Sequence, residues 1–296
     1  MDFEKFLKEA ADGLKAMMEK DHPFISVEPV SVDKFQGSSY RGIRIREKDS
    51  NIAPSFQMED SFRLYQNGES MEDILQTIYQ IAENALKGIP DINMEKVTDY
   101  ESIKDRIFLE LVSAQRNDDM LKNVPHVDME DLSLIYRLDF GRDNYGSCRS
   151  AVITDTMLKS FGVSAEQFHE DAIRNAEKSR PASLRTLAET LGLPPEMTPA
   201  GVPALYVATC GDTLFGAAVI GYKDFMDMAA ERIGGDFYVL PSSLHEVLLL
   251  KDDGRSDIHE LESMVRAVNS AEVRPEDQLS DNVYHYDAQA SSTCTG

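Results

Sequence analysis

The sequence predicts an α+β fold with mixed, largely antiparallel sheets and helices packed on one side. The predicted strands come in pairs separated by single helices, not in the strand–helix alternation of a parallel sheet. The 296 residues are 42% hydrophobic and 28% charged, which is near the globular average. We expect two subdomains, 1–95 and 96–270, followed by a C-terminal segment, 271–296, whose end is disordered.

The first subdomain begins with an amphipathic helix. Apolar side chains recur at helical spacing over 2–20, and the opposite face mixes Lys with Asp and Glu. Strands are predicted at 24–30, 40–46 and 55–59, the second with clean alternation. Ser70 suits the N-cap of a helix over 71–86, and a Gly-Ile-Pro-Asp break at 88–91 marks the expected boundary.

The second subdomain shows seven strand patterns and three helix patterns. Strands are predicted at 106–112, 132–140, 151–155, 205–209, 216–221, 236–240 and 246–251. Helices are predicted at 164–178, 223–233 and 257–269. The most apolar stretch, 204–222, has Gly211 and Asp212 at its centre, where a membrane span would be costly. Two short strands joined by a tight Gly-Asp turn fit it better.

The charge balance is strongly acidic. Lys and Arg number 30 and Asp and Glu 52, so the net charge is 30 − 52 = −22. Such a chain repels phosphate backbones and anionic lipids, so we expect no nucleic-acid binding through a basic patch and no membrane association. The same field attracts a protein partner with a basic surface. The sequence gives no indication of the oligomeric state.

The cysteines and the N-terminus favour a cytoplasmic protein. Cys148, Cys210 and Cys294 are widely spaced, and no Cys-x-x-Cys pair exists. Free thiols are typical of a reducing compartment. The first residues lack the apolar segment of a secretory signal.

Signature motifs of the common enzyme classes are absent from the sequence. The stretch 211–216 lacks the Lys of a phosphate-binding loop, and no Gly-x-Ser-x-Gly, Gly-x-Gly-x-x-Gly or His-Glu-x-x-His motif occurs. We therefore predict no cofactor and no resident metal, and an enzyme is the less favoured class.

The segment 240–247 offers the first candidate site. It contains Ser242, Ser243, His245 and Glu246 between two apolar strands. In an extended backbone, Ser243 and His245 share a face, so a hydroxyl could approach an imidazole for nucleophilic catalysis. The alternative is a polar turn whose side chains bond to backbone groups.

A second candidate set could contact a ligand or partner. It consists of Arg116, Asn117, His126, Asp128 and Asp131. If His126, Asp128 and Asp131 converge, they could bind a divalent cation. The alternative is a helix-to-strand connection in which Asp131 or Asp128 pairs with Arg116.

A third segment, 279–287, alternates around Tyr284 and Tyr286. It is predicted to form an edge strand or an ordered clamp over the core, and packing is its favoured role over a partner contact.

Three segments together resemble one bacterial family. They are Arg116-Asn117 with Val124-Pro125-His126 and Asp131-Leu132, the run Leu240-Pro241-Ser242-Ser243-Leu244-His245-Glu246-Val247, and the run Leu279-Ser280-Asp281-Asn282-Val283-Tyr284. The family is known as domain of unknown function 5688, and the resemblance covers about 24–287. It implies a cytoplasmic bacterial protein of the kind found with mobile elements, and it implies no activity.

These observations lead to two functional hypotheses. The first is a non-enzymatic binding or regulatory protein of a bacterial mobile element, whose acidic surface engages a protein partner. The alternative is a hydrolase that uses Ser243 and His245, or a metal held by His126 and Asp128.

Overall fold

The computed structural model describes residues 1–37, 39–48, 53–87, 99–142, 148–194, 204–241 and 243–291. Three antiparallel sheets and the helices around them confirm the α+β prediction. The described residues divide into two compact units, unit 1 within 1–97 and 142–147 and unit 2 within 98–141 and 148–296. The predicted boundary at 88–91 lies outside the described residues.

Unit 1 packs helices on a three-stranded sheet of order β1-β2-β3. In chain order its elements are α1 (Phe3–Met18), β1 (Ser26–Asp33), a 3-10 turn (Phe35–Gly37), β2 (Ser39–Arg46), β3 (Ser55–Gln57), α2 (Glu59–Gln66) and α3 (Met71–Lys87). Its core buries Ile43 and Ile45 of the sheet against helical side chains that include Phe6, Leu14, Met18 and Ile78.

Side-chain caps mark the starts of α1 and α3 in unit 1. The Asp2 carboxylate accepts from the Lys5 N–H at 2.9 Å, and the Ser70 hydroxyl accepts from the Asp73 N–H at 3.1 Å, as predicted for Ser70. The predicted helix at 2–20 and strand at 40–46 are confirmed. The third strand is shorter than predicted because α2 begins at Glu59. Glu59 and Asp60 lie in the first turn of α2, where acidic residues are favourable.

Unit 2 contains a four-stranded and a five-stranded sheet. In the first, β4 (Ile107–Ser113) pairs with β6 (Leu132–Arg142), whose other edge carries β5 (His126–Met129) and β7 (Cys148–Val152). The second has the order β12-β10-β11-β9-β8. Its strands are β8 (Ala182–Thr186), β9 (Leu205–Cys210), β10 (Phe237–Leu240), β11 (Val247–Lys251) and β12 (Tyr284–Tyr286).

The helices of unit 2 follow their sequence signals closely where a cap is present. They are α4 (Tyr100–Ile103), α5 (Asp118–Leu121), α6 (Asp155–Phe161), α7 (Ala165–Ser179), α8 (Leu187–Thr190), α9 (Phe225–Ile233), α10 (Ile258–Ala271) and α11 (Ala288–Ser291). Ser164 caps α7 and Asp257 caps α10 through side-chain oxygens, while Gly234 at φ 85° ends α9. The predicted helices at 164–178, 223–233 and 257–269 are thereby confirmed.

The predicted strand at 216–221 is wrong. Gly216–Gly221 is a 3-10 helix, all but its last residue buried, and it follows a loop in which Thr213 and Phe215 adopt positive φ. A short apolar run bounded by glycines carries no periodicity that separates a buried strand from a buried helical turn. The expected two-strand hairpin is therefore not formed, and only its first strand is present, as β9.

Other differences arise where long-range pairing decides the structure. The strand predicted at 151–155 is Cys148–Val152, because the Thr154 hydroxyl caps α6 at the Met157 N–H. The predicted connection around His126 contains strand β5, and β8 was not predicted. Ala288–Ser291 is helical within a stretch predicted to be disordered, and 292–296 lie outside the described residues. No helix in the described ranges is long and apolar enough to cross a membrane.

Candidate functional site

A buried ion pair lies on one face of the four-stranded sheet of unit 2. Arg137 Nη1 on β6 is 2.7 Å from Glu110 Oε2 on β4, and the Glu110 side chain is only 4% exposed. Arg137 Nε also donates to Ser150 Oγ on β7 at 2.9 Å. Burial raises the pKa of Glu110, while the Arg137 guanidinium opposes that rise. Arg137 therefore connects β6 to β4 and to β7, and the Glu110 carboxylate that it contacts has little access to water.

The loop 211–216 covers this ion pair with an aromatic ring. Phe215 stacks on Phe108 at 6.0 Å between ring centroids, and the Arg137 guanidinium lies 5.0 Å from the centre of the Phe215 ring. Phe215 has φ 57°, a left-handed conformation that is unfavourable for a bulky side chain. The ring contacts hold the strained loop against the sheet.

Gly216 brings this loop against the candidate segment 240–247. A Cβ at Gly216 would lie 2.0 Å from Thr209 Oγ1 and 2.3 Å from the His245 carbonyl oxygen. Thr209 Oγ1 donates to that same carbonyl at 2.8 Å. Only a residue without a side chain fits at this approach of three chain segments.

His245 is a half-exposed residue of the segment 240–247. Its ring Nε2 lies 3.5 Å from Asp277 Oδ1, and its ring centroid is 6.4 Å from that of Phe215. Its backbone N–H donates to Ser243 Oγ at 3.1 Å. We refer to Glu110, Arg137, Phe215, His245 and Asp277 as the His245 cluster.

Of the first candidate set, Ser243 and His245 are joined through a backbone hydrogen bond. Ser243 is buried, and its hydroxyl accepts from the His245 amide, while the imidazole faces Asp277 instead of the hydroxyl. Glu246 is half-buried beside this turn. Ser242 lies outside the described residues. The geometry corresponds to the predicted alternative of a polar turn that bonds its own backbone.

A second polar group beside this cluster has Arg180 at its centre. Its guanidinium carbon lies 3.9 Å from the Phe108 ring centre, and its Nη1 donates to Asp212 Oδ1 at 3.2 Å. Cys210 Sγ donates to the same oxygen at 3.2 Å, and burial, followed by Asp212, raises the Cys210 pKa to about 11. A thiol held protonated in this way is a poor nucleophile.

Arg116 of the second candidate set bonds to the C-terminal segment, and Asn117 bonds to the backbone. Arg116 Nη1 donates to the Pro275 carbonyl at 2.7 Å, and Nη2 donates to Gln278 Oε1 at 2.8 Å. The buried Asn117 amide donates to the Ser113 carbonyl at 2.6 Å. Arg116 therefore anchors the C-terminal segment, and the expected pairing of Arg116 with Asp128 or Asp131 is not observed.

Asp131 is the acceptor at the centre of a lock on the C-terminal segment. It accepts from Ser280 Oγ at 2.7 Å, from Asn282 Nδ2 at 3.0 Å and from the Tyr284 hydroxyl. Burial and the Asp131 carboxylate both raise the pKa of Tyr284, which keeps this hydroxyl a donor. The segment 279–287 is consequently an ordered clamp that continues into the edge strand β12.

His126 and Asp128 lie together on the exposed strand β5, apart from the Asp131 interactions. His126 Nε2 is 3.7 Å from Asp128 Oδ1, and Asp128 accepts from Ser133 Oγ at 2.8 Å. Asp131 instead receives donors from the C-terminal segment. Over the described residues, no group of three or more His, Cys, Asp or Glu side chains is arranged to hold a metal ion.

The profile of a family of unknown function, DUF5688, matches residues 3–288. The chain belongs to the DUF5688 family. This confirms the resemblance and extends it towards the N-terminus, beyond the expected start near Phe24. No curated protein and no solved structure matches the chain.

One small cavity of the DUF5688 protein lies between α7 and the 3-10 turn Lys104–Arg106. Its volume is about 130 Å³, and its lining residues are Lys104, Asp105, Asp171, Arg174, Asn175 and Lys178. None of the candidate residues lines it. The cavity is smaller than the roughly 300 Å³ at which sites for drug-sized organic ligands begin.

Sequence reasoning missed Glu110, Arg137, Arg180 and Asp277. Glu110 and Arg137 are charged residues inside otherwise apolar strand patterns, and that interruption is a usable signal for a buried pair. Asp277 lies 32 positions from His245 in a stretch without a motif, so its contact with the imidazole carried no sequence signal.

Proposed function

We propose that this DUF5688 protein is a cytoplasmic, non-enzymatic binding or regulatory protein of a bacterial mobile element, and that its acidic surface engages a protein partner with a basic surface. The observation that carries this proposal is the charge excess. If each of the 30 basic side chains neutralised one of the 52 acidic ones, 52 − 30 = 22 carboxylates would still lack a basic partner. The mobile-element setting rests on the family resemblance alone.

Some carboxylates of the acidic surface share one cation. Lys122 contacts both Asp118 and Asp119, at 2.9 and 2.8 Å, and Arg274 contacts both Glu276 and Asp277. Carboxylates that share a cation keep a net negative field outside the protein. Such a field accelerates association with a basic protein and weakens as salt is added.

The internal roles of the candidate residues also support binding over catalysis. Ser243 bonds to an amide, Arg116 anchors the C-terminal segment, and Asp131 receives three donors from that segment. Side chains engaged in this way maintain the fold of unit 2. The solvent-facing carboxylates remain available for contact with another molecule.

The test is affinity capture of the tagged full chain from a bacterial lysate at about 0.05 M and about 0.5 M salt, with identification by mass spectrometry. We expect one basic protein in stoichiometric amount at low salt and its loss at high salt. The matched control is the same capture with an unrelated tagged protein of similar negative charge. Recovery of the same proteins by that control, or of none, would remove the proposal.

One observation favours the hydrolase as a second candidate. The imidazole of His245 faces the Asp277 carboxylate at 3.5 Å, so a carboxylate stands where it could orient a general base. In that case, hydrolysis of activated esters should be lost in His245→Ala and reduced in Asp277→Asn. Repeating the assay with added Zn²⁺ and with His126→Ala tests the metal version. Activity that is unchanged in these variants comes from another protein in the preparation.

A further inference from the structure

Helix α10 carries apolar residues on its exposed side as well as on its buried side. Leu261 and Val265 pack into the core formed with β10 and β11. On the outer side, Met264 is 58% exposed and Val268 is 40% exposed. A surface helix of a folded domain needs one apolar stripe, which faces its own core. The outer pair therefore leaves a large part of its apolar surface in contact with solvent.

The exposed apolar pair lies in a row with an acidic residue at each end. Glu260, Met264 and Val268 follow one another at intervals of four residues within α10, so their side chains lie along one side of the helix, and Glu272 continues the interval as the first residue after the helix. All four are exposed. Two small exposed residues, Ala267 and Ala271, lie beside this row on the same side. We call these six residues the α10 row.

The acidic ends of the α10 row differ from the neighbouring acid on the same helix. Glu262 pairs with His259 at 3.4 Å and with Arg266 at 3.9 Å. Among the residues that the structure describes, neither Glu260 nor Glu272 forms an ion pair. The row thus presents an apolar centre between two exposed carboxylates, neither of which is paired with a cation of the described residues.

We propose that the α10 row is the docking surface for an α-helix of a partner protein, with apolar residues at its centre and Lys or Arg towards its ends. This inference rests on the proposed function and specifies where and how the partner binds. The apolar positions 264, 267, 268 and 271 repeat at the three-and-four spacing by which two helices pack along a seam. The terminal carboxylates favour basic residues and fix the register of the incoming helix.

The alanines suit such a contact because small side chains allow a second helix to approach closely. Ala267 and Ala271 leave room beside Met264 and Val268 for larger apolar side chains from the partner. A flexible Met adapts its shape to the residues that it meets. The predicted contact therefore consists of large partner residues over small ones, with Met264 filling the remaining space.

The test uses two synthetic helical peptides with labelled ends and the full-length protein. One peptide has Leu at the seam positions and Lys beside them, and the other has Glu in place of every Lys. Fluorescence anisotropy gives the dissociation constants. The double variant Met264→Gln/Val268→Gln should bind the Leu/Lys peptide at least about tenfold more weakly than the wild type. Glu260→Gln/Glu272→Gln should weaken binding and reduce its salt dependence.

The matched control is Met228→Gln on α9, where a methionine is 40% exposed and lies on a different helix. This variant should bind the Leu/Lys peptide as the wild type does. Far-UV circular dichroism of each variant verifies that the exposed substitutions leave the fold intact. Equal binding by wild type and by Met264→Gln/Val268→Gln would overturn the docking site, as would equal affinity for the two peptides.

A second copy of the chain is the competing occupant, and sedimentation equilibrium separates it. A wild-type dimer that becomes a monomer in Met264→Gln/Val268→Gln would overturn the partner-helix proposal. The failure of the docking site is also distinct from that of the proposed function. If wild type and variant capture the same salt-sensitive protein equally, only the docking site is lost. If neither the wild type nor Met264→Gln/Val268→Gln captures a salt-sensitive protein, the proposed function is contradicted as well.

Discussion

Removing the cation from the buried Glu110–Arg137 pair should destabilise unit 2 strongly. In Arg137→Met, the Glu110 carboxylate loses its 2.7 Å partner, and Ser150 loses the donor at 2.9 Å. Breaking a buried pair from one side typically costs about 3–5 kcal/mol, because the remaining charge is uncompensated. A domain of the size of unit 2 should then melt roughly 6–20 °C lower.

The protonation of Glu110 gives an independent bound on this cost. Burial raises the pKa of Glu110, and Arg137 opposes the rise, so the variant shifts this pKa further upward. If folding forces the carboxyl to take up a proton at pH 7, against an unfolded pKa of 4.5, the cost is at most about 3 kcal/mol. The cost expected from breaking the buried pair and the cost expected from protonating Glu110 are therefore of the same size.

This mechanism fixes the sign of the pH dependence. A carboxyl whose folded pKa is raised contributes stability that is present below its unfolded pKa and is lost as pH rises through the folded pKa. The deficit of Arg137→Met relative to wild type should therefore shrink by about 1.4 kcal/mol per pH unit as the pH falls from 7 to the folded pKa of Glu110 in the wild type, below which both folded proteins carry a protonated Glu110. Removal of the charge in Glu110→Gln/Arg137→Met should restore most of the stability at pH 7.

Urea unfolding followed by far-UV circular dichroism measures these effects, since the chain has no Trp for fluorescence. The control is Lys122→Met, which breaks a solvent-exposed pair and should leave the unfolding midpoint unchanged. The reasoning fails if Arg137→Met behaves like Lys122→Met. It also fails if the deficit is independent of pH or if the double variant is no more stable than Arg137→Met.

Three further predictions concern other parts of the fold. In unit 1, burial lowers the pKa of His22, but hydrogen bonds to Glu83 and Glu47 outweigh this effect, so the pKa is raised. The stability that His22 contributes should therefore be greatest below about pH 6.5 and be lost as the pH rises through the folded pKa. The variant His22→Gln should abolish this pH dependence in unfolding curves. Gly216→Ala should cost roughly 2–3 kcal/mol in urea unfolding, while Gly211→Ala, whose Cβ would meet only Pro181 Cδ at 4.0 Å, should be tolerated. Asp131→Asn should cost about 2 kcal/mol and expose the C-terminal segment to limited proteolysis, and unchanged digestion would contradict its role as a lock.

The parts of the fold that the sequence predicts are those set by local chemistry. Helix α7 begins after the Ser164 cap and α9 ends at Gly234, and both signals depend on adjacent residues alone. Strand β2 was predicted because its alternation of polar and apolar residues indicates one buried face. In contrast, the buried 3-10 helix Gly216–Gly221 depends on the approach of Thr209 and His245, which no local pattern encodes.

The same distinction applies to the candidate site. The sequence identified Ser243 and His245 as neighbours, and the structure places them in one turn. It did not indicate the contact between His245 and Asp277 or the burial of Glu110 against Arg137. These contacts join residues that are 27 or more positions apart, so they follow from sheet register and loop packing.

The segments that carry the family resemblance contact one another in the folded chain. Arg116 binds the backbone near Gln278, and Asp131 accepts from Ser280 and Tyr284. Ser243 forms a β-bridge with Gln278, next to the Asp277 that faces His245. The segments of the resemblance therefore contact one another, or residues directly beside them, within unit 2. The α10 row lies outside these segments, and its exposed side chains take no part in those contacts.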